Sequence, residues 1–117
     1  MKKVRLILSP EAEDTYAFLN KESTSAKLEH TLLNAIHKKS AFVKANPHYG
    51  NPIAKSLIPA IYKVKYGATN LFRVELPFYW RMLYALTDGD TENEIIAFVI
   101  EILDHKEYDK RFGYRKR

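Results

Sequence analysis

Cysteine is absent from the 117 residues, which excludes disulfides, thiolate zinc sites, iron–sulfur clusters and a cysteine nucleophile together. A reducing, cytoplasmic setting is the expectation that goes with this. Glycine is scarce, at four residues, and no G-x-S-x-G, P-loop or G-x-G-x-x-G pattern occurs, which removes the commonest hydrolase and nucleotide-binding motifs. Long apolar runs are missing too. The longest, Ile95–Ile100, falls far short of the roughly 20 residues needed to span a bilayer. The basic start Met1-Lys2-Lys3 is followed by Arg5, so a secretion leader is not expected. Metal-ligand spacing is also lacking: His30, His37 and His48 are scattered, there is no H-E-x-x-H, and Asp88-Gly89-Asp90 lacks the rest of a calcium loop. Neither a metal nor a cofactor is expected.

What is present suits one domain over residues 1–117, because 46% hydrophobic residues can bury roughly two thirds of the unfolded surface at this length. The net charge of +5 is concentrated at one end. Lys106, Lys110, Arg111, Arg115, Lys116 and Arg117 face only Glu107 and Asp109 in the segment from His105 onward, leaving four of the five net charges there. Tyr108, Phe112 and Tyr114 are interleaved with them. Such a segment is a solvated tail, or it is equipment for single-stranded nucleic acid, with cations for phosphates and rings for bases.

Periodicity supplies the architecture. Lys3–Leu8 alternates, as a half-buried strand does. Ser9-Pro10-Glu11 opens a helix with a capping hydroxyl, a pre-set φ and an acid in the first turn; Ala12, Tyr16 and Leu19 form its buried stripe. A second helix carries Leu28, Leu32, Ala35, Ile36, Phe42 and Val43 at helical spacing and ends at Asn46-Pro47. Pro47, Gly50, Pro52 and Pro59 predict an ordered loop. Alternation then predicts strands over 62–66, 71–76 and 79–86, with a hairpin turn at Asp88-Gly89-Asp90 and a buried central strand over 94–103. Asp104 caps a short last helix. The expected class is α+β: an N-terminal strand, an antiparallel helix hairpin, then a mostly antiparallel four-stranded meander.

On a strand, Lys63 and Lys65 share a face, where two ammonium groups either protect an edge or meet an anion. Arg73 shares a face with Glu75, whereas Arg81 interrupts an apolar, aromatic strand and must meet a carboxylate or line an anion site. His105, Lys106 and Tyr108 fall together in the first turn after the last strand.

The run Asn46-Pro47-His48-Tyr49-Gly50-Asn51-Pro52, then Tyr62-Lys63-Val64-Lys65, Tyr79-Trp80-Arg81-Met82-Leu83-Tyr84 and His105-Lys106-Glu107-Tyr108 resembles, in order and spacing, the motifs of the RelE/ParE toxin superfamily. The resemblance implies a toxin of a type II toxin–antitoxin system, a ribosome-dependent, metal-independent endoribonuclease that cuts messenger RNA in the ribosomal A site and is neutralised by an acidic antitoxin. It also implies roles. Lys63 and Lys65 match the basic strand that holds the phosphate and would share as catalytic residues in proton transfer, and Arg81, with Arg73 as the alternative, matches the clamping arginine. His105 or Lys106 stands at the second catalytic cation, and Tyr108 matches the tyrosine that orients the attacking nucleotide. Lys110, Arg111, Tyr114 and Arg115 would add RNA contacts. The terminal motif carries Lys106 where the family has arginine. The alternatives within the same fold are a ParE-like gyrase inhibitor and a non-catalytic RNA- or partner-binding member.

Overall fold

The computed structural model of the chain describes residues 2–23 and 25–113. Strand β1 (Lys3–Leu8) runs into Ser9, whose buried hydroxyl accepts from the Ala12 amide at 3.0 Å and donates to the Ile100 carbonyl at 2.5 Å. One side chain thus caps helix α1 (Pro10–Glu22) and ties it to the sheet. Helix α2 (Lys27–Ala45) follows and packs on α1, with Tyr16 and His37 hydrogen-bonded at 2.7 Å. The 46–59 segment holds a two-residue strand, β2 (Asn51–Pro52), and a 3-10 turn over Lys55–Leu57. After helix α3 (Ala60–Tyr66) come β3 (Phe72–Glu75), β4 (Arg81–Asp88) and β5 (Glu94–Leu103), then α4 (His105–Phe112), capped by Asp104.

The α+β class, the helix hairpin and the terminal helix are as the sequence predicts, whereas the breaker-rich segment, expected to be loop and no further element, adds β2 to the sheet edge and a 3-10 turn. The sheet is not the expected four-stranded meander. Among the described residues it has five strands in the order β1-β5-β4-β3-β2, with β1 parallel to β5 and the other pairs antiparallel. The predicted strand over 62–66 is helix α3. Pro59 precedes the first turn, and Gly67 ends the helix in the left-handed region (φ 64°), its amide closing on the Lys63 carbonyl at 3.0 Å. Only Tyr62 of that helix is buried. The predicted strand from Tyr79 begins instead at Arg81, because Pro77–Tyr79 forms a tight turn.

β5 is apolar on both sides because both sides are covered. One face packs against α1 and α2 through Leu19, Leu32, Ile36, Val43, Val74, Met82, Tyr84 and Val99. The other meets α3 and α4 through Tyr62, Leu83, Ala85, Ile100, Leu103 and Tyr108. A β-bulge between Leu83/Tyr84 on β4 and Glu101/Val99 on β5 inserts Ile100 and brings Glu101 to the α3/α4 side.

The 46–52 loop is held by fully buried Tyr84. Its hydroxyl donates to the Pro47 carbonyl at 2.7 Å and accepts from the Gly50 amide at 2.9 Å. A Cβ at Gly50 would lie 2.9 Å from Tyr84 Cε1. Gly50→Ala is therefore expected to lower stability by about 1–3 kcal/mol, the usual range for overpacking, in chemical denaturation; unchanged stability would show that Tyr84 does not pin the loop.

Candidate functional site

The α3/α4 face of the sheet carries a cluster of charged side chains. Antiparallel register sets Glu75 on β3 directly opposite Arg81 on β4, a cross-strand pair of opposite charge. Arg73, two residues earlier on β3, emerges on the same side, its Nε 2.9 Å from Glu75 Oε1. Arg81 Nε lies 3.6 Å from Glu75 Oε2. One carboxylate, half exposed, thus stands between two guanidinium groups, and the surplus charge is positive.

Helix α4 completes the cluster. Arg81 Nη1 donates to the Tyr79 carbonyl at 2.9 Å and to His105 Nδ1 at 3.2 Å. A guanidinium only donates, so Nδ1 is the bare acceptor and the imidazole proton sits on Nε2, which faces Asp109 Oδ2 at 3.2 Å. Tyr108 lies inside, 3% exposed: its hydroxyl accepts from Arg73 Nη1 at 3.0 Å, the Arg81 guanidinium carbon is 4.5 Å from its ring centroid, and Phe112 stacks on it at 4.4 Å.

Arg81 is the least satisfied member. Its side chain is 14% exposed. Its Nε is buried without a hydrogen bond among the described residues, and none of their hydrogen bonds uses Nη2. Buried donors are rarely left so, and the Nε–Nη2 edge of a guanidinium is one that a carboxylate or phosphate can engage in two places.

Of the residues singled out in the sequence, Arg73, Arg81, His105 and Tyr108 come together, and Lys106 is exposed next to His105. Lys63 and Lys65 do not share a strand face. On helix α3, Lys65 pairs with Glu11 and lines a groove of about 410 Å³, while Lys63 lines another of about 440 Å³ with Lys55 and Ile58. The hydrogen bond from Lys65, aided by the Glu11 backbone, holds the Glu11 carboxyl below its ordinary range. Tyr108 is packed inward among Arg73, Arg81 and Phe112. Lys110 is exposed near Glu107 (3.8 Å). Tyr114 and Arg115 lie outside the described residues.

Arg111 turns inward, toward Glu101. Its Nε and Nη2 reach Glu101 Oε2 and Oε1 at 2.8 and 3.2 Å, and the Tyr62 hydroxyl donates to the same carboxylate. Burial, with the carboxylate beside it, pushes that hydroxyl above the ordinary tyrosine range, so it stays a donor. Three elements, α3, β5 and α4, meet at this one carboxylate.

Sequence reasoning missed Glu101 as a clamp and Asp109 as the partner of His105. It also missed the β3–β4 turn, where Phe78 and Tyr79 both have φ of 62°. Each costs about 1–2 kcal/mol relative to ordinary backbone. The signal for Glu101 was a lone acid in an apolar strand; nothing in Pro77-Phe78-Tyr79 announces positive φ.

No protein-family model matches the chain, and neither a curated protein nor a solved structure matches it. Among the described residues no helix is long and apolar enough to cross a membrane.

Arg111→Leu strands the Glu101 carboxylate in the interior, and a loss of about 2–3 kcal/mol is expected for a buried charge deprived of a partly exposed partner. Adding Glu101→Leu is expected to recover most of it in the same denaturation experiment. A single variant as stable as wild type would contradict the clamp.

Proposed function

We propose that the chain is a RelE/ParE-type toxin that cleaves messenger RNA on the ribosome by attack of a 2′-hydroxyl on the adjacent phosphorus. The observation that carries this reading is the convergence of Arg73, Arg81 and His105 on one sheet face, with Arg81 donors unspent. A phosphate arriving at this edge competes with Glu75 for both guanidinium groups. It also draws Arg81 away from His105, which frees the Nδ1 lone pair.

The chemistry then follows from the groups at hand. Nδ1 takes the 2′-hydroxyl proton while the 2′ oxygen bonds to phosphorus, and the Nε2 proton stays on the Asp109 side, the arrangement that steadies a histidine base. Arg73 and Arg81 stabilise the charge that builds on the phosphorane oxygens, supplying what a metal would otherwise supply. The bond from phosphorus to the 5′ oxygen breaks, leaving a 2′,3′-cyclic phosphate, and exposed Lys106 gives the departing oxygen its proton. Tyr108 holds the two arginines in position. In this reading the neutralising partner is an acidic antitoxin that covers the same cationic edge.

Burial of Tyr108 favours, as a second reading, a binding member of the same fold without catalysis, including a gyrase inhibitor. The two readings separate in a reconstituted translation reaction with mapped mRNA 5′ ends. Wild type is expected to cut within A-site codons. Arg81→Ala should lose about 100-fold or more, as removal of a transition-state donor does, whereas Lys63→Ala and Lys65→Ala stay within about threefold, since neither lysine belongs to the cluster. Intact mRNA on translating ribosomes would discard the nuclease and leave the binding reading, tested next by DNA supercoiling.

A further inference from the structure

The β3–β4 connection is built against its own backbone preference. Pro77 and Trp80 close the turn, with the Trp80 amide on the Pro77 carbonyl at 3.3 Å, and the two residues between them both lie in the left-handed region. That is a type I′ turn, whose two positions are normally Asn-Gly because a bulky side chain at positive φ is strained. Here they are Phe78 and Tyr79, and the strain is not repaid by burial. Phe78 is 52% exposed and Tyr79 75% exposed.

Backbone strain that packing does not explain points toward a ligand. The surroundings say which kind. The Tyr79 carbonyl is fixed by Arg81 Nη1, and the Tyr79 ring sits 6.0 Å from the His105 ring, which is itself bonded to Arg81. One open aromatic ring, that of Tyr79, therefore adjoins a half-satisfied guanidinium, and exposed Phe78 precedes it in the same turn. An apolar partner would have no use for that guanidinium, and a bare anion would have none for the rings. A single-stranded nucleic acid uses both, its phosphate on the cation and its base on the ring.

We infer that the Phe78-Tyr79 turn is a stacking platform for an unpaired base of single-stranded RNA, next to the phosphate held by Arg81. This deepens the ribonuclease reading and rests on it for the position of the phosphate. It assigns to the turn the base contact for which buried Tyr108 has no open face. Tyr79 is the ring placed beside His105 and Arg81.

The test uses an uncleavable fluorescein-labelled 2′-O-methyl RNA octamer and an abasic octamer with the same phosphates, bound to the full chain at low salt and followed by anisotropy. Wild type is expected to bind the base-bearing octamer about tenfold more tightly than the abasic one, within the range for one stacked base. In the double variant Phe78→Asn/Tyr79→Gly that preference should vanish while abasic binding stays the same, and Tm should rise because the turn now has the residues it favours. Tyr79→Phe should keep the preference. Equal affinity of wild type for the two octamers, or a double variant that loses stability and RNA affinity together, would overturn the platform. Wild type that binds neither octamer would remove the phosphate site first, and with it the platform.

Discussion

The pairing of Glu75 with Arg81 across β3 and β4 is the contact on which the α3/α4 face depends. β4 is sandwiched between β3 and β5, so its register is fixed twice, by Glu75↔Arg81 on one side and Arg81↔Leu103 on the other. A slip of one residue would send Arg81 into the apolar face beneath α1 and α2. With the register held, Arg81 stands where β5 ends and α4 begins, and His105 and Tyr108 reach it from the first turn of that helix. Local strand geometry thereby sets the distance between a guanidinium and an imidazole 24 residues apart in the chain.

The two sheet faces divide the work. The face under the helix hairpin is apolar and supplies the cohesion, about 25 cal/mol for each Å² of apolar surface removed from water. The other face spends part of its burial on polar groups. The Tyr62–Glu101–Arg111 junction is satisfied on every side and locks α3 and α4 to β5. Arg81 Nε has no hydrogen bond among the described residues, and Phe78 and Tyr79 are strained. The chain thus carries a closed clamp on the same sheet face as a guanidinium with a spare donor, and the latter and the strained turn are held at some cost in stability.

Where one physical signal acted alone, the sequence was readable. Ser9-Pro10 set the start of α1, Asn46-Pro47 the end of α2, and the apolar run Ile95–Ile100 the central strand. The error at 62–66 arose where two signals competed. Tyr62-Lys63-Val64-Lys65-Tyr66 alternates like a strand, yet Pro59 and Gly67 bracket it like a helix, and burial of the Tyr62 ring against β4 and β5 favoured the helix. Because of that error Lys63 and Lys65 were expected to share a strand face; on the helix they line separate grooves, and neither joins Arg73 and Arg81. Arg81 itself was legible, since an arginine amid apolar and aromatic residues needs a partner. Glu75 as that partner was not, because strand register is a property of the folded sheet. Nor was the closed position of Tyr108, which depends on how α4 docks.

The central claim is that the Arg73–Arg81 edge is a phosphate site poised beside His105. The most direct measurement is a crystal structure of the chain with an uncleavable 2′-O-methyl RNA. The account requires a phosphate within hydrogen-bond distance of Arg81 Nε or Nη2, Glu75 displaced from Arg81, and His105 Nδ1 facing the methylated 2′ oxygen. An RNA seated on another surface, with Arg81 still against Glu75 and His105, would contradict it.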